Sequence, residues 1–132
     1  MRRMFRLPEA DEDHLNLAGL RWETIVEGAA RWLLVHAAPV APGYNVTIAD
    51  RAFSIDAGYP SSQIDMVYFH PSLSRLDGRT IAALSTTTID GRTFQRWSRH
   101  RTPANPWRPG IDDISTHMLQ VDQWLEREFA LR

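Results

Sequence analysis

The sequence predicts an α+β domain of two layers: a short N-terminal helix, a four-stranded antiparallel meander, an irregular loop with a small hairpin, and a long C-terminal helix. Three observations carry this. Ile114, Met118, Val121 and Leu125 recur at steps of four, three and four residues, which is helical spacing. Ahead of them lie runs rich in β-branched and aromatic residues, punctuated by Gly and Pro. At 132 residues the chain can bury one core without cross-links, so one domain over residues 1–132 is expected.

Pro8 to Gly19 reads as the first helix, with acidic residues in its first turn, Leu15 and Ala18 facing inward, and Gly19 as its stop. RWETIVEG and RWLLVHAAP, divided at Gly28 and Ala29, read as a hairpin in which Trp22 and Trp32 pack across strands. Tyr44 to Ile55 supplies the third strand, with Val46, Ile48, Phe53 and Ile55 on its apolar pattern, and Tyr59-Pro60 turns the chain at its exit. Ile64 to Phe69 (IDMVYF) is the most continuously apolar run and reads as a central fourth strand, closed by His70-Pro71. STTTI and RTFQRW flank Asp90-Gly91, a strong hairpin signal. After the prolines at 103, 106 and 109, Ile111 to Ala130 forms the closing helix, with Asp112 and Asp113 in its first turn, Trp107 and Trp124 as core anchors, and Glu126, Arg127 and Glu128 facing water.

Composition excludes several chemistries. There is no cysteine, so disulfides, thiolate metal sites and a thiol nucleophile are all ruled out. No apolar run approaches the roughly 20 residues of a membrane span, and the N-terminus lacks the apolar core of a secretory signal, so a cytoplasmic, membrane-free protein is expected. No Gly-rich phosphate loop is present, and His14 and His36 have no sequence neighbours at ligand spacing; no cofactor and no metal are expected.

Charge is concentrated in one place. The net charge is -1 and all fifteen basic residues are arginine, yet Arg92, Arg96, Arg99, Arg101 and Arg108 occur in a stretch without a single acidic residue. Two tryptophans, Trp97 and Trp107, lie among them. On composition alone the stretch fits a protein partner or a nucleic acid, whose phosphates pair with Arg and whose bases stack on Trp.

The order of elements, with Tyr59-Pro60, His70-Pro71 and then Trp107-x-Pro109 leading into a helix, resembles the ubiquitin-conjugating E2 (UBC) superfamily. GYP, FHP, DGRTFQRWSRHRTPANPW and PGIDD resemble the prokaryotic E2 family E, from about Phe5 to Leu131. The resemblance implies a UBC-like fold and a part in bacterial ubiquitin-like conjugation. Its implied partners are an E1-like adenylating enzyme, a ubiquitin-like protein and a modifier-processing peptidase. Ordinary members accept the modifier on a cysteine, which this chain lacks, so a thioester is excluded. The family's His-Pro-Asn corresponds to His70, Pro71 and Ser72. The family's cysteine position, eight residues before the tryptophan, falls on Arg99, with Ser98 one residue further away.

The resemblance makes Ser98 the candidate acyl acceptor. If Arg96 to Arg101 is extended, Arg96, Ser98 and His100 share one face and Trp97, Arg99 and Arg101 the other. Imidazole at His100, and His70 as a second candidate, suits the base that a serine hydroxyl needs. Arg92, Arg96, Arg99, Arg101 and Trp97 are the candidates for binding the modifier or a partner. The hydroxyls from Ser85 to Thr88 read instead as a hairpin arm, and His117 as structural. Three functions stand at this point: an E2-like acyl carrier through a serine oxyester, an inactive E2-like adaptor for the same partners, and an Arg/Trp-rich nucleic-acid-binding module.

Overall fold

The computed structural model describes residues 1–130; Leu131, where the resemblance was expected to end, lies outside them. Helix α1 (Glu9–Leu17) is followed by strands β1 (Arg21–Glu27), β2 (Ala30–Pro39), β3 (Ile48–Ser54), β4 (Val67–His70), β5 (Leu84–Ile89) and β6 (Arg92–Trp97), then by helix α2 (Ile114–Arg127) and a 3-10 turn at Glu128–Ala130. All six strands form one antiparallel sheet in the order β1-β2-β3-β4-β6-β5. The predicted hairpin is therefore no appendage. β6 pairs with β4, Val67 opposite Trp97, and β5 lies outside it as an edge. The hairpin turn has both Asp90 and Gly91 at positive φ (53° and 73°), the geometry that the Asp-Gly pair favours.

Several predicted bounds contract. The third strand begins at Ile48, because Tyr44 makes only an isolated bridge to Arg75. The fourth begins at Val67, after Met66 at φ 61°. Ala18 follows α1 and is exposed, whereas Asp11 and Glu12 of α1 are buried with Leu15. In α2, Asp113 is the N-cap, accepting from the Ser115 and Thr116 N–H groups, so neither Asp112 nor Asp113 lies in the first turn. Glu128 is buried rather than solvated, since Arg99 reaches it.

Both helices lie on one face of the sheet. Leu15, Ile114, Val121, Trp124 and Leu125 join Trp22, Leu33, Phe53, Phe69 and Trp97 in the main core. The other face holds a purely strand-built cluster of Ile25, Trp32, Leu34, Ala52, Tyr68, Ile89 and Phe94. Trp22 and Trp32 thus pack on opposite faces, opposite Val35 and Ile25. Ile25 of edge β1 and Ile89 of edge β5 share the second cluster, so the sheet curls until its edges approach. The Asp90 N–H donating to Glu27 (3.0 Å) and the ion pair of Arg2 with Asp90 (2.6 Å) close that gap.

Tyr59-Pro60 and the Trp107 segment clasp the two helices. The Tyr59 hydroxyl donates to Asp11, whose other oxygen accepts from Ile114 N at the start of α2 (3.4 Å), and Trp107 Nε1 donates to the Pro60 carbonyl (3.0 Å). Burial holds the Asp11 carboxyl above its ordinary pKa, and burial together with Asp11 raises the Tyr59 hydroxyl. His117, fully buried, donates from Nε2 to the Met66 carbonyl (2.8 Å), and burial pushes its pKa down to about 4.

Candidate functional site

Strand β6 positions the arginine-rich stretch and stops at Trp97, whose side chain has no exposed surface. One residue on, Ser98 N still donates to the Ala83 carbonyl (3.1 Å), but Arg99 N turns back to the Trp97 carbonyl (3.0 Å). Strand alternation ends there, so the expected extended run to Arg101 stops one residue after the sheet. Ser98 is half-buried, and among the described residues its hydroxyl makes no hydrogen bond. His100 is 61% exposed and points to Asp65, its Nδ1 lying 2.8 and 3.0 Å from the two carboxylate oxygens.

A carboxylate on Nδ1 keeps the proton on that nitrogen and leaves Nε2 as the free lone pair. Asp65 was legible only as an acidic residue within the apolar run IDMVYF. Two hollows flank this pair: one of about 220 Å3 is lined by Arg99, His100, Trp124, Arg127 and Glu128, and one of about 350 Å3 includes Arg31, Asp56, Asp65, Met66 and Tyr68.

His70 does not join them. Val67 pairs with Trp97 and Phe69 with Gln95, so His70 is level with Phe94, against whose ring it packs at 5.5 Å. Ser98 is four residues further along β6, about 13 Å at 3.3 Å per residue, out of hydrogen-bond reach. The His70 ring is occupied with β6 itself, its Nδ1 2.9 Å from the Thr93 carbonyl.

The basic patch is neutralised in three dimensions. Arg92 pairs with Asp50 (2.8 Å), Arg99 with Glu128 (3.4 Å), Arg101 with Asp112 (3.7 Å), and Arg108 with the same Asp112 (3.3 Å). Arg99 also donates to the Ala82 and Ser98 carbonyls (3.0 and 3.2 Å) and lies 5.0 Å from the centre of the Trp97 ring. The acids come from distant segments, which a local charge count does not see. Arg96 alone of the predicted binding arginines has no acidic partner among the described residues; it lies opposite Tyr68 and Ser85, and its Nε is buried without a hydrogen bond. Trp97, expected at a binding surface, belongs to the core, where no partner touches it.

At the other end of β6 a charge network was also missed. His36 lies between Glu23 (2.7 Å) and Asp50 (3.3 Å), and Arg2 pairs with Glu23 (3.0 Å). The signal is absent from the sequence because the three strands contribute one member each. Arg2 and, more weakly, His36 hold the Glu23 pKa down to about 2 against the effect of burial. Burial acts to raise the Asp50 pKa, and Arg92, the Ala37 N–H and His36 together outweigh it and lower it. A β2 bulge turns the Ala37 N–H to Asp50 (2.8 Å). Among the described residues no group of three or more His, Asp and Glu is placed to hold a metal ion, and no helix is long and apolar enough to cross a membrane.

An α+β sheet-and-helix domain whose β6 exit presents Ser98, followed by a Trp-x-Pro clasp on the closing helix, is the setting in which the comparisons fall. Residues 7–128 match the family described as Prokaryotic E2 family E, and the chain belongs to that family. No curated protein and no solved structure matches significantly. Membership gives the chain an E2-like role in bacterial ubiquitin-like conjugation, and implies interaction with an E1-like enzyme and a ubiquitin-like modifier.

Proposed function

We propose that this chain, a single UBC-like domain over residues 1–132, carries the modifier as an oxyester on Ser98. The observation that carries the reading is a half-buried hydroxyl at the exit of β6, without a hydrogen bond among the described residues, two residues before a histidine whose Nδ1 is held by Asp65. In the reaction, Ser98 Oγ bonds to the carbonyl carbon of the modifier's activated C-terminus, and the bond from that carbon to its E1-bound leaving group breaks. The hydroxyl proton passes through His100 Nε2 to the leaving group. Arg96, the arginine without an acidic partner, is the cation available to the developing oxyanion. A modifier-processing peptidase is the further partner this pathway needs to expose the C-terminus.

A second reading, an adaptor that binds E1 and modifier without accepting the acyl group, is favoured by one observation: no hydrogen bond joins Ser98 to His100. Intact mass after incubation with the pathway's E1, modifier and ATP separates the two. Carriage predicts an added modifier mass that hydroxylamine removes and that Ser98→Ala abolishes; an adaptor binds both partners and gains no mass.

A further inference from the structure

The two edges of the sheet are finished differently. β1 is sealed by the N-terminal segment: Arg3 bridges Thr24 in parallel, Met4 N donates to the Thr24 carbonyl (2.9 Å), and Thr24 N to the Arg2 carbonyl (3.1 Å). Among the described residues β5 pairs with β6 alone, and only its Asp90 end is tied to the β1 side, through Glu27 and Arg2. The two-residue turn makes Ile89 and Arg92 a hydrogen-bonded pair, so Ser85 and Thr87 direct their backbone groups to β6, while Leu84, Thr86 and Thr88 direct theirs outward. All three are exposed, and none has a backbone partner on that side among the described residues.

Natural edges are usually protected by charge, proline or a bulge. LSTTTI has none of these: its six residues pair with β6 without a register shift, contain no charged residue, and are mostly β-branched. Such an edge accepts a strand.

We propose that β5 binds the extended C-terminal tail of the ubiquitin-like modifier as an added antiparallel strand, an inference that rests on the Ser98 reading. Direction follows from the site. A tail antiparallel to β5 ends beside Leu84, and next to Leu84 is Ala83, whose carbonyl is bonded to Ser98 N. The added strand lies two strand spacings, about 10 Å, outside β6, a gap that about three extended residues cross. Arg99, fastened to the Ala82 carbonyl, borders that crossing. An uncharged edge beside Arg96, which lies opposite Ser85 and has no acidic partner among the described residues, suits an uncharged tail that ends in a carboxyl group.

Amide hydrogen exchange on the full chain, mixed with the pathway's ubiquitin-like protein, tests this. Exchange at Leu84, Thr86 and Thr88 is expected to slow about tenfold or more, with no effect from a modifier trimmed by a tail as long as β5. Thr86→Pro removes an outward N–H at a position where an edge tolerates proline; it is expected to weaken binding about tenfold, the equivalent of one or two hydrogen bonds. If that variant does not fold, exchange on the unaltered chain decides alone. Protection that persists with the trimmed modifier, or no protection under saturating modifier, overturns the proposal. Protection that needs no modifier and grows with the chain's own concentration overturns it in favour of a second copy. The unaltered chain separates the two claims: protection without any adduct leaves the edge standing and removes the oxyester, while an adduct that Ser98→Ala abolishes, formed without protection, removes the edge alone.

Discussion

The two ends of β6 are built to opposite specifications. At its start Arg92 enters a chain of contacts, Arg92 to Asp50 to His36 to Glu23 to Arg2 to Asp90, that ties four strands, the hairpin turn and the N-terminal segment together. At its finish Trp97 is sunk in the core, the next residue is a hydroxyl with no hydrogen-bond partner among the described residues, and two residues beyond that stands a mostly exposed histidine. Polar groups at the first end are satisfied and therefore structural; at the second they are held in position but left available. The available end is where the proposed acyl transfer belongs.

Perturbing each end tests that division, and the largest stability effect should come from the boundary. Trp97→Ala removes the largest fully buried side chain, and urea denaturation is expected to show a loss of about 3–5 kcal/mol. Acid should act next. His117 is neutral when folded, with its pKa at about 4, against an unfolded value of about 6.5. Its depressed pKa means that the unfolded chain binds the extra proton, so stability is intact above pH 6.5 and falls as pH drops toward 4, at up to about 1.4 kcal/mol per pH unit. Thermal melts of His117→Gln should lose that slope. Glu23, lowered to about 2, adds a second decline beginning near its ordinary pKa of about 4.5 and continuing downward.

At the network end, Arg92→Ala leaves Asp50 without its closest cation and should cost about 1–2 kcal/mol, with no change in the amount of adduct formed. At the exit the pattern reverses. His100→Ala, at an exposed ion pair, should change stability by less than about 0.5 kcal/mol, while slowing adduct formation about 10²–10⁴-fold. A His100 variant that is unstable yet forms adduct at the normal rate would erase the distinction between the ends.

Much of the frame was legible because it rests on local signals: the α2 stripe through Ile114, Val121 and Leu125, the Asp-Gly turn, and the hairpin of β1 and β2. The position of β5 and β6 was not, because a hairpin's sequence does not say which strand it docks against. The arginine stretch shows the same limit. Its local charge was correctly read as positive, but Asp50, Glu128 and Asp112 arrive from elsewhere in the fold to cancel it. Ser98 and His100 could be singled out in one segment; Asp65, thirty-five residues before His100, could not.

Carriage of the modifier on Ser98 leaves a covalent trace. Intact mass spectrometry of the full chain with its E1, modifier and ATP tests it most directly. One added modifier mass is expected, released by hydroxylamine and absent in Ser98→Ala. An adduct that survives Ser98→Ala, or a chain that binds both partners and never gains mass, would contradict it.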